Sequence, residues 1–214
     1  VAQAPEFLFL PGVVPGSAAS PRDLYKDALA RCGIAFAADY RETFQALFGR
    51  PAPHGDTVLL FPGAGHADKG WPLARFHALA GFLGRHGLRP VFVLGPAELE
   101  RGVAPLGGTT LAPASVEALS AALCAARCVI GPDCGPLHLA GLHGVAGVAL
   151  FGPTAPRQWG PQGLAIVTAG LPCSPCAGVT SGEFAAACPR PLPCLAGIEV
   201  GAVWEQVQGV LALR

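Results

Sequence analysis

The chain has 214 residues, with 14 basic and 14 acidic side chains and only 13% charged residues in all. Zero net charge without a basic stripe argues against a nucleic-acid partner, and there is no acidic run to act as a solvating arm. Hydrophobic residues make up 51%, but Gly, His or Pro breaks every apolar run short of the roughly 20 residues that a membrane span needs. Such a chain reads as soluble, long enough for one well-buried α/β domain plus a fragment, and suited to small-ligand chemistry. No basic segment precedes an apolar core near the start, so no secretory signal is expected.

Residues 1–21 are apolar and rich in Pro and Gly, with one strand-like piece, "EFLFL". A helical pattern follows from Arg22 to Cys32. The Pro, Gly and Asp of "RPAPHGD" (50–56) mark a linker, which divides the chain into residues 1–54 and residues 55–214. Beyond it, strand and helix patterns alternate. "TVLLF" (57–61) is a buried strand, and Leu73, Phe76, Leu79, Ala80 and Leu83 form a helical stripe between Pro72 and His86. "PVFVLG" (90–95) is the next strand, and "TTLA" a short one. Ser115 caps a helix with Glu117 in its first turn that runs to Arg127. "CVIG" (128–131), a helix after Gly135, "GVALFG" (147–152), "LAIVTAG" (164–170) and a closing helix from Gly201 complete the pattern. Strands separated by helices predict a Rossmann-like parallel sheet with helices on both faces.

In such sheets ligands bind beyond the carboxyl ends of the strands. The unusual residues fall there, in "FPGAGHADKGWP", "GPAELE", "GPDCGPLH" and "FGPTAPRQWGP". In the first loop, Ala64 and Gly65 are small enough for backbone amides to approach an anion, and Lys69 stands just before a helix. The loop has no Walker spacing. Gly135 opens a helix whose positive end can face a diphosphate, with His138 on its first turn. Asp133 can hold the turn or bind sugar hydroxyls, and Glu98 can accept from ribose hydroxyls.

Together "FPGAGHADKGWPLARFHALAGFL", "VFVLGPAELE", "VIGPDCGPLHLAGLHGVAGVALFGPTAPRQWGP" and "PCSPC…ACPRPLPC" resemble the lipopolysaccharide heptosyltransferase family, which uses ADP-heptose; the likeness spans residues 57–214. The resemblance implies a GT-B architecture of two Rossmann-like domains, this chain holding mainly the C-terminal, donor-binding one. It implies diphosphate contacts at Lys69, Gly135 and His138, a small-residue loop at Ala64 and Gly65, a ribose contact at Glu98 and a sugar or phosphate contact at Asp133. Cys134 stands where the family usually has Ser or Thr. The first domain of that family, which supplies a carboxylate thought to act as base, is expected to be represented only by its last helix, around Arg22 to Ile34. The catalytic base is therefore not among the residues assigned, and this chain by itself is not expected to turn over.

Four of the eight cysteines, Cys173, Cys176, Cys188 and Cys194, are interleaved with prolines as C-x2-C, eleven residues, then C-x5-C. The first pair suits half of a tetrahedral zinc site, while the five-residue gap is wide for its partner. Structural zinc ranks first, free thiols or disulfides next, an iron–sulfur cluster third.

The reading is a glycosyltransferase that moves a heptose-like sugar from an ADP-sugar to a lipopolysaccharide-core-type, lipid-linked acceptor. It works in the cytoplasm, at the inner face of the cytoplasmic membrane with peripheral association, and needs no cofactor for transfer. The rivals are a non-catalytic nucleotide-binding or assembly module and a sugar-nucleotide epimerase on the same architecture.

Overall fold

The computed structural model describes residues 19–53, 55–102, 107–176, 188–189 and 191–212; the strand-like "EFLFL" lies outside them. At the centre is the strand Thr57–Leu60 (β1), paired in parallel with Arg89–Val93 (β2) on one side and Cys128–Pro132 (β4) on the other. Thr109–Leu111 (β3) adds to β2, Gly147–Phe151 (β5) to β4, and Ala165–Thr168 (β6) to β5, all parallel. The order β3-β2-β1-β4-β5-β6 is that of a Rossmann sheet, and its direction of winding reverses between β1 and β4.

Side chains alternate across each strand and sort the core into two layers. Val58, Leu60, Phe92, Ile130, Val148 and Leu150 face one layer. Leu59, Phe61, Val91, Val93, Val129, Ala149 and Phe151 face the other. The first layer is covered by Leu73–Arg85 (α3), through Phe76, Leu79 and Leu83, by the short Pro193–Ala196 (α8), and by Val200–Ala212 (α9), through Val203 and Val207. Arg75 on α3 grips Glu199 with both terminal nitrogens, at 2.7 and 2.9 Å, which ties α3 to the start of α9. The second layer is covered by Val116–Ala125 (α5), capped by Ser115 Oγ accepting from the Ala118 amide, and by Gly135–His143 (α6). The nearly continuous apolar runs of the central strands follow from this double covering.

Pro21–Arg31 (α1) carries its own cap, Ser20, and buries no residue. Tyr40–Phe48 (α2) is not among the elements expected from periodicity, although Tyr40, Phe44, Leu47 and Phe48 stand at helical spacing; it has no fully buried residue. Tertiary contacts hold it on α6. Phe44 meets the ring of His143 edge-on at 5.0 Å, and Gln45 Nε2 donates to the Leu142 carbonyl at 3.2 Å. His143 is fully buried, with Nδ1 2.8 Å from the Gly49 carbonyl and Nε2 against Ser120 Oγ. The Ala52 amide donates to the Cys124 carbonyl. Ala52, in the segment expected to form a linker, is thus fastened to α5. Pro96–Glu100 (α4) and Pro156–Trp159 (α7) are single turns in the loops after β2 and β5.

Candidate functional site

Where the winding reverses, the chain leaves β1 toward β2 and leaves β4 toward β5, so the two loops part and a crevice opens between them. Phe61 N still donates to the Ile130 carbonyl at 2.8 Å, which carries the pairing one residue past β1. The chain then turns through Gly63, Ala64 and Gly65 into one 3-10 turn, Ala67–Lys69. Opposite, Asp133 follows β4 and Cys134 takes the extended conformation of an N-cap without a side-chain cap bond. Gly131 belongs to this construction: a Cβ there would stand 2.8 Å from Phe61 Cβ and 3.0 Å from Leu137, so only glycine lets the two strand ends meet.

The two loops meet at Asp133, whose side chain is only 10% exposed. Lys69 Nζ donates to its Oδ2 at 2.7 Å, and Thr154 Oγ1, from the loop after β5, donates to the same oxygen at 3.0 Å. His138 Nε2 lies 3.7 Å from Oδ1. Burial disfavours the charged carboxylate, but the nearby His138 ring, the hydrogen bond and charge of Lys69 and the hydrogen bond of Thr154 outweigh it, and the pKa of Asp133 falls below the ordinary value. The group is a carboxylate at neutral pH, held by donors from the loops after β1 and β5.

Beside this cluster a cavity of about 470 Å³ runs between the loops after β1, β2 and β4 and the start of α5. Ala64, Gly65, Glu98, Cys134, Gly135 and Val116 are among its walls. A Cβ on Gly65 or on Gly135 would meet nothing within 4 Å, so the backbone there is open to an incoming group. Glu98 Oε2 accepts from the Gly95 amide at 2.9 Å, capping α4, while its carboxyl lies over Gly63, where a Cβ would come within 2.0 Å of Oε1. Burial pushes the Cys134 thiol up to about 12, with the nearby charges of Asp133 and Glu98 acting in the same direction. Cys134 is therefore a neutral, small apolar wall, neither nucleophile nor thiolate ligand.

The structure thus brings Lys69, Asp133 and His138 into one cluster and sets Ala64, Gly65, Glu98, Cys134 and Gly135 around the adjoining cavity. Thr154 and the wall formed by Val116 and Leu119 were not anticipated from the sequence. The hydroxyl just beyond a buried strand in "FGPT" is the signal for the first; the second comes from sheet order and has none. An ammonium, the exposed Gly135 backbone at the start of α6 and an imidazole beside a mostly apolar cavity suit an anionic group joined to a flat apolar one.

The profile of glycosyltransferase family 9 (heptosyltransferase) matches residues 30–184. The chain belongs to glycosyltransferase family 9. Solved structures agree on the fold. A family 9 glycosyltransferase from Veillonella parvula is 20% identical with a TM-score of 0.65, over 94% of this chain and 63% of that one. E. coli ADP-heptose lps heptosyltransferase II is 19% identical with a TM-score of 0.57, over 84% and 53%. E. coli heptosyltransferase WaaC with ADP is 21% identical with a TM-score of 0.59, over 89% and 55%. The chain thus spans a little over half to under two thirds of the length of the structures it matches. Curated proteins gave no match. At this level of identity the likeness to solved structures establishes the Rossmann-like fold of this family 9 chain and leaves the roles of single residues to be argued from its own geometry.

The eight cysteines of this family 9 chain differ in exposure. Within the quartet, Cys173 is exposed, Cys176 and Cys188 are half-buried and Cys194 is buried. Burial foremost, and then the neighbouring thiols, raises the pKa of both Cys176 and Cys194. Among the described residues no group of three or more His, Cys, Asp or Glu side chains is placed to hold a metal ion. Cys194 is packed into the core against Gly152, where a Cβ would come within 3.0 Å of its sulfur, while Cys173 faces solvent. No helix among the described residues is long and apolar enough to cross a membrane.

Proposed function

We propose that this chain is the donor-binding part of a glycosyltransferase that takes a heptose-like sugar from an ADP-sugar to a lipid-linked, lipopolysaccharide-core-type acceptor at the inner face of the cytoplasmic membrane. The observation that carries the reading is the Lys69–Asp133–His138 cluster at the reversal of the sheet, next in sequence to Cys134 and Gly135 in the wall of a cavity of about 470 Å³. Two of the similar structures contain ADP and ADP-2-deoxy-2-fluoro heptose, which supports a donor of that class.

In this reading the adenine enters the cavity between Ala64, Val116 and Cys134, and Glu98 faces the ribose hydroxyls. The diphosphate then meets Lys69, the Gly135 amide at the start of α6 and His138. In the free protein Asp133 holds the ammonium of Lys69 in place at 2.7 Å, so little reorganisation is needed when the anion arrives. As the bond from the sugar to the diphosphate breaks, negative charge grows on the leaving phosphate. Preorganised donors aimed at that charge stabilise the transition state more than the ground state. His138 supplies a hydrogen bond to a phosphate oxygen, and Asp133 is left facing the sugar side.

Calorimetric titration with ADP tests the reading. Saturable binding that ADP-heptose competes for is expected; no binding of either ligand would remove the donor-site assignment.

A further inference from the structure

Thr154 differs from the other members of the cluster. It bears no charge, is only 7% exposed and does not belong to the wall of the cavity of about 470 Å³. Its hydroxyl donates at 3.0 Å to Asp133 Oδ2, the same oxygen that accepts from Lys69 at 2.7 Å. We propose that Thr154 is a positioning residue of the donor site: its hydroxyl holds the Asp133 carboxylate while the Lys69 ammonium is shared with the donor diphosphate. The inference rests on the donor reading above and deepens it by naming the group that leaves the ammonium available.

The loop after β5 fixes Thr154 before any ligand arrives. Its first two residues are both gripped by the chain beyond β6. Ser174 Oγ donates to the Gly152 carbonyl at 2.5 Å, and the Cys176 amide donates to the Pro153 carbonyl at 2.9 Å. Gly152 is also packed closely by α8, since a Cβ there would stand 2.6 Å from Leu195 and 3.0 Å from Cys194 Sγ. A β-branched side chain on so fixed a backbone has few rotamers open to it, so the hydroxyl is presented to Asp133 with little freedom left to lose.

Asp133 has few other partners. Its side chain is 10% exposed, which gives water little access to replace a lost donor. His138 Nε2 stands 3.7 Å from Oδ1, beyond hydrogen-bond length. Among the described residues, the donors on Oδ2 are therefore Lys69 and Thr154. An arriving phosphate draws the ammonium toward itself, and a buried carboxylate left without a donor would pull it back, because an unsatisfied buried charge is costly. With Thr154 in place, Oδ2 keeps a donor throughout. A hydroxyl that served the fold alone would add to stability and leave the affinity for the anion unchanged.

Calorimetric titration with ADP tests the inference on Thr154→Val, which keeps the shape and removes the hydroxyl, and on Thr154→Ser, which keeps the hydroxyl. Thr154→Val should weaken ADP binding about three- to tenfold, the effect of one net hydrogen bond. Thr154→Ser should restore it to within about twofold of the wild-type chain. In an Asp133→Asn background no carboxylate competes for the ammonium, so adding Thr154→Val should have little further effect. This non-additivity separates a role exercised through Asp133 from a general loosening of the loop. Urea unfolding checks that each variant is folded, and Thr154→Ala, which also lacks the hydroxyl, takes the place of Thr154→Val should that variant not fold. Three results would each overturn the inference and leave the donor reading standing: wild-type ADP affinity in Thr154→Val, a loss in Thr154→Ser as large as in Thr154→Val, or an undiminished loss in the Asp133→Asn background. A wild-type chain that binds no ADP would instead remove the donor reading, and the inference with it.

Discussion

Lys69 is held by a carboxylate in the free protein, so its two possible roles predict different outcomes for the two partners of the pair. As a phosphate ligand, Lys69→Ala should weaken ADP binding by about 1.5–3 kcal/mol, or about 10- to 160-fold, the range for a hydrogen bond to a charged group. Asp133→Asn should act in the opposite direction. A phosphate oxygen bound to the far side of the ammonium lies roughly 5–6 Å from the carboxylate, where unit charges repel by about 3 kcal/mol at an effective dielectric near 20. The Lys69 side chain is 20% exposed, and with solvent and salt screening about 1 kcal/mol of that remains, so ADP should bind about fivefold tighter to Asp133→Asn. Stability moves differently. Removing Lys69 leaves a buried carboxylate with only Thr154 and His138, costing about 2–3 kcal/mol, below the roughly 3–5 kcal/mol of a fully buried pair. Because folding lowers the pKa of Asp133, its contribution is complete above the unfolded-state pKa of about 3.9 and is lost as the pH falls through the lower native value. Asp133→Asn should remove that part of the acid dependence. Calorimetry with ADP and urea unfolding at pH 7 and pH 3 measure these quantities. If both substitutions lowered stability and neither changed ADP affinity, the pair would be a structural clasp and the phosphate role would be refuted.

Two further outcomes concern packing and the cysteines. Gly141→Ala places a methyl 2.6 Å from the Gln162 carbonyl oxygen and 3.1 Å from its nitrogen, so it should cost about 1–3 kcal/mol in urea unfolding, as overpacking does; an unchanged midpoint would mean that the 160–163 loop shifts freely. The quartet is tested by elemental analysis of chain purified without chelator: a structural zinc there should appear as one zinc per chain and be lost in Cys176→Ser. A zinc-free chain whose thiols react equally with and without chelator would remove the metal reading.

Strands β1, β2, β4, β5 and β6 were legible because each carries a short apolar run with Gly or Pro close by, the helices α3, α5 and α9 because their apolar stripes are local properties of the chain, and α6 because Gly135, Pro136 and Gly144 mark its ends. The miss at α2 is of another kind: Tyr40, Phe44, Leu47 and Phe48 do stand at helical spacing, but its hold on α6 through Phe44, Gln45 and the Gly49 carbonyl is made with residues about a hundred positions away. Glu98 was read in one of two local roles. Its type and loop suggested a ligand contact, but only the folded turn shows that one of its oxygens caps its own helix.

The sequence by itself determined the element types, the parallel sheet and the placing of Lys69, Glu98, Asp133 and His138 at strand ends, because side-chain period, turn chemistry and capping act over a few residues. Tertiary structure alone decided the strand order and what it brings together: Lys69 onto Asp133 across 64 positions, Thr154 onto the same carboxylate from a third loop, and Trp159 with Gln158 beside Tyr40 and Arg22. These are matters of how a twisted sheet is wound and covered, and no local pattern carries the identity of a residue's partner across the sheet.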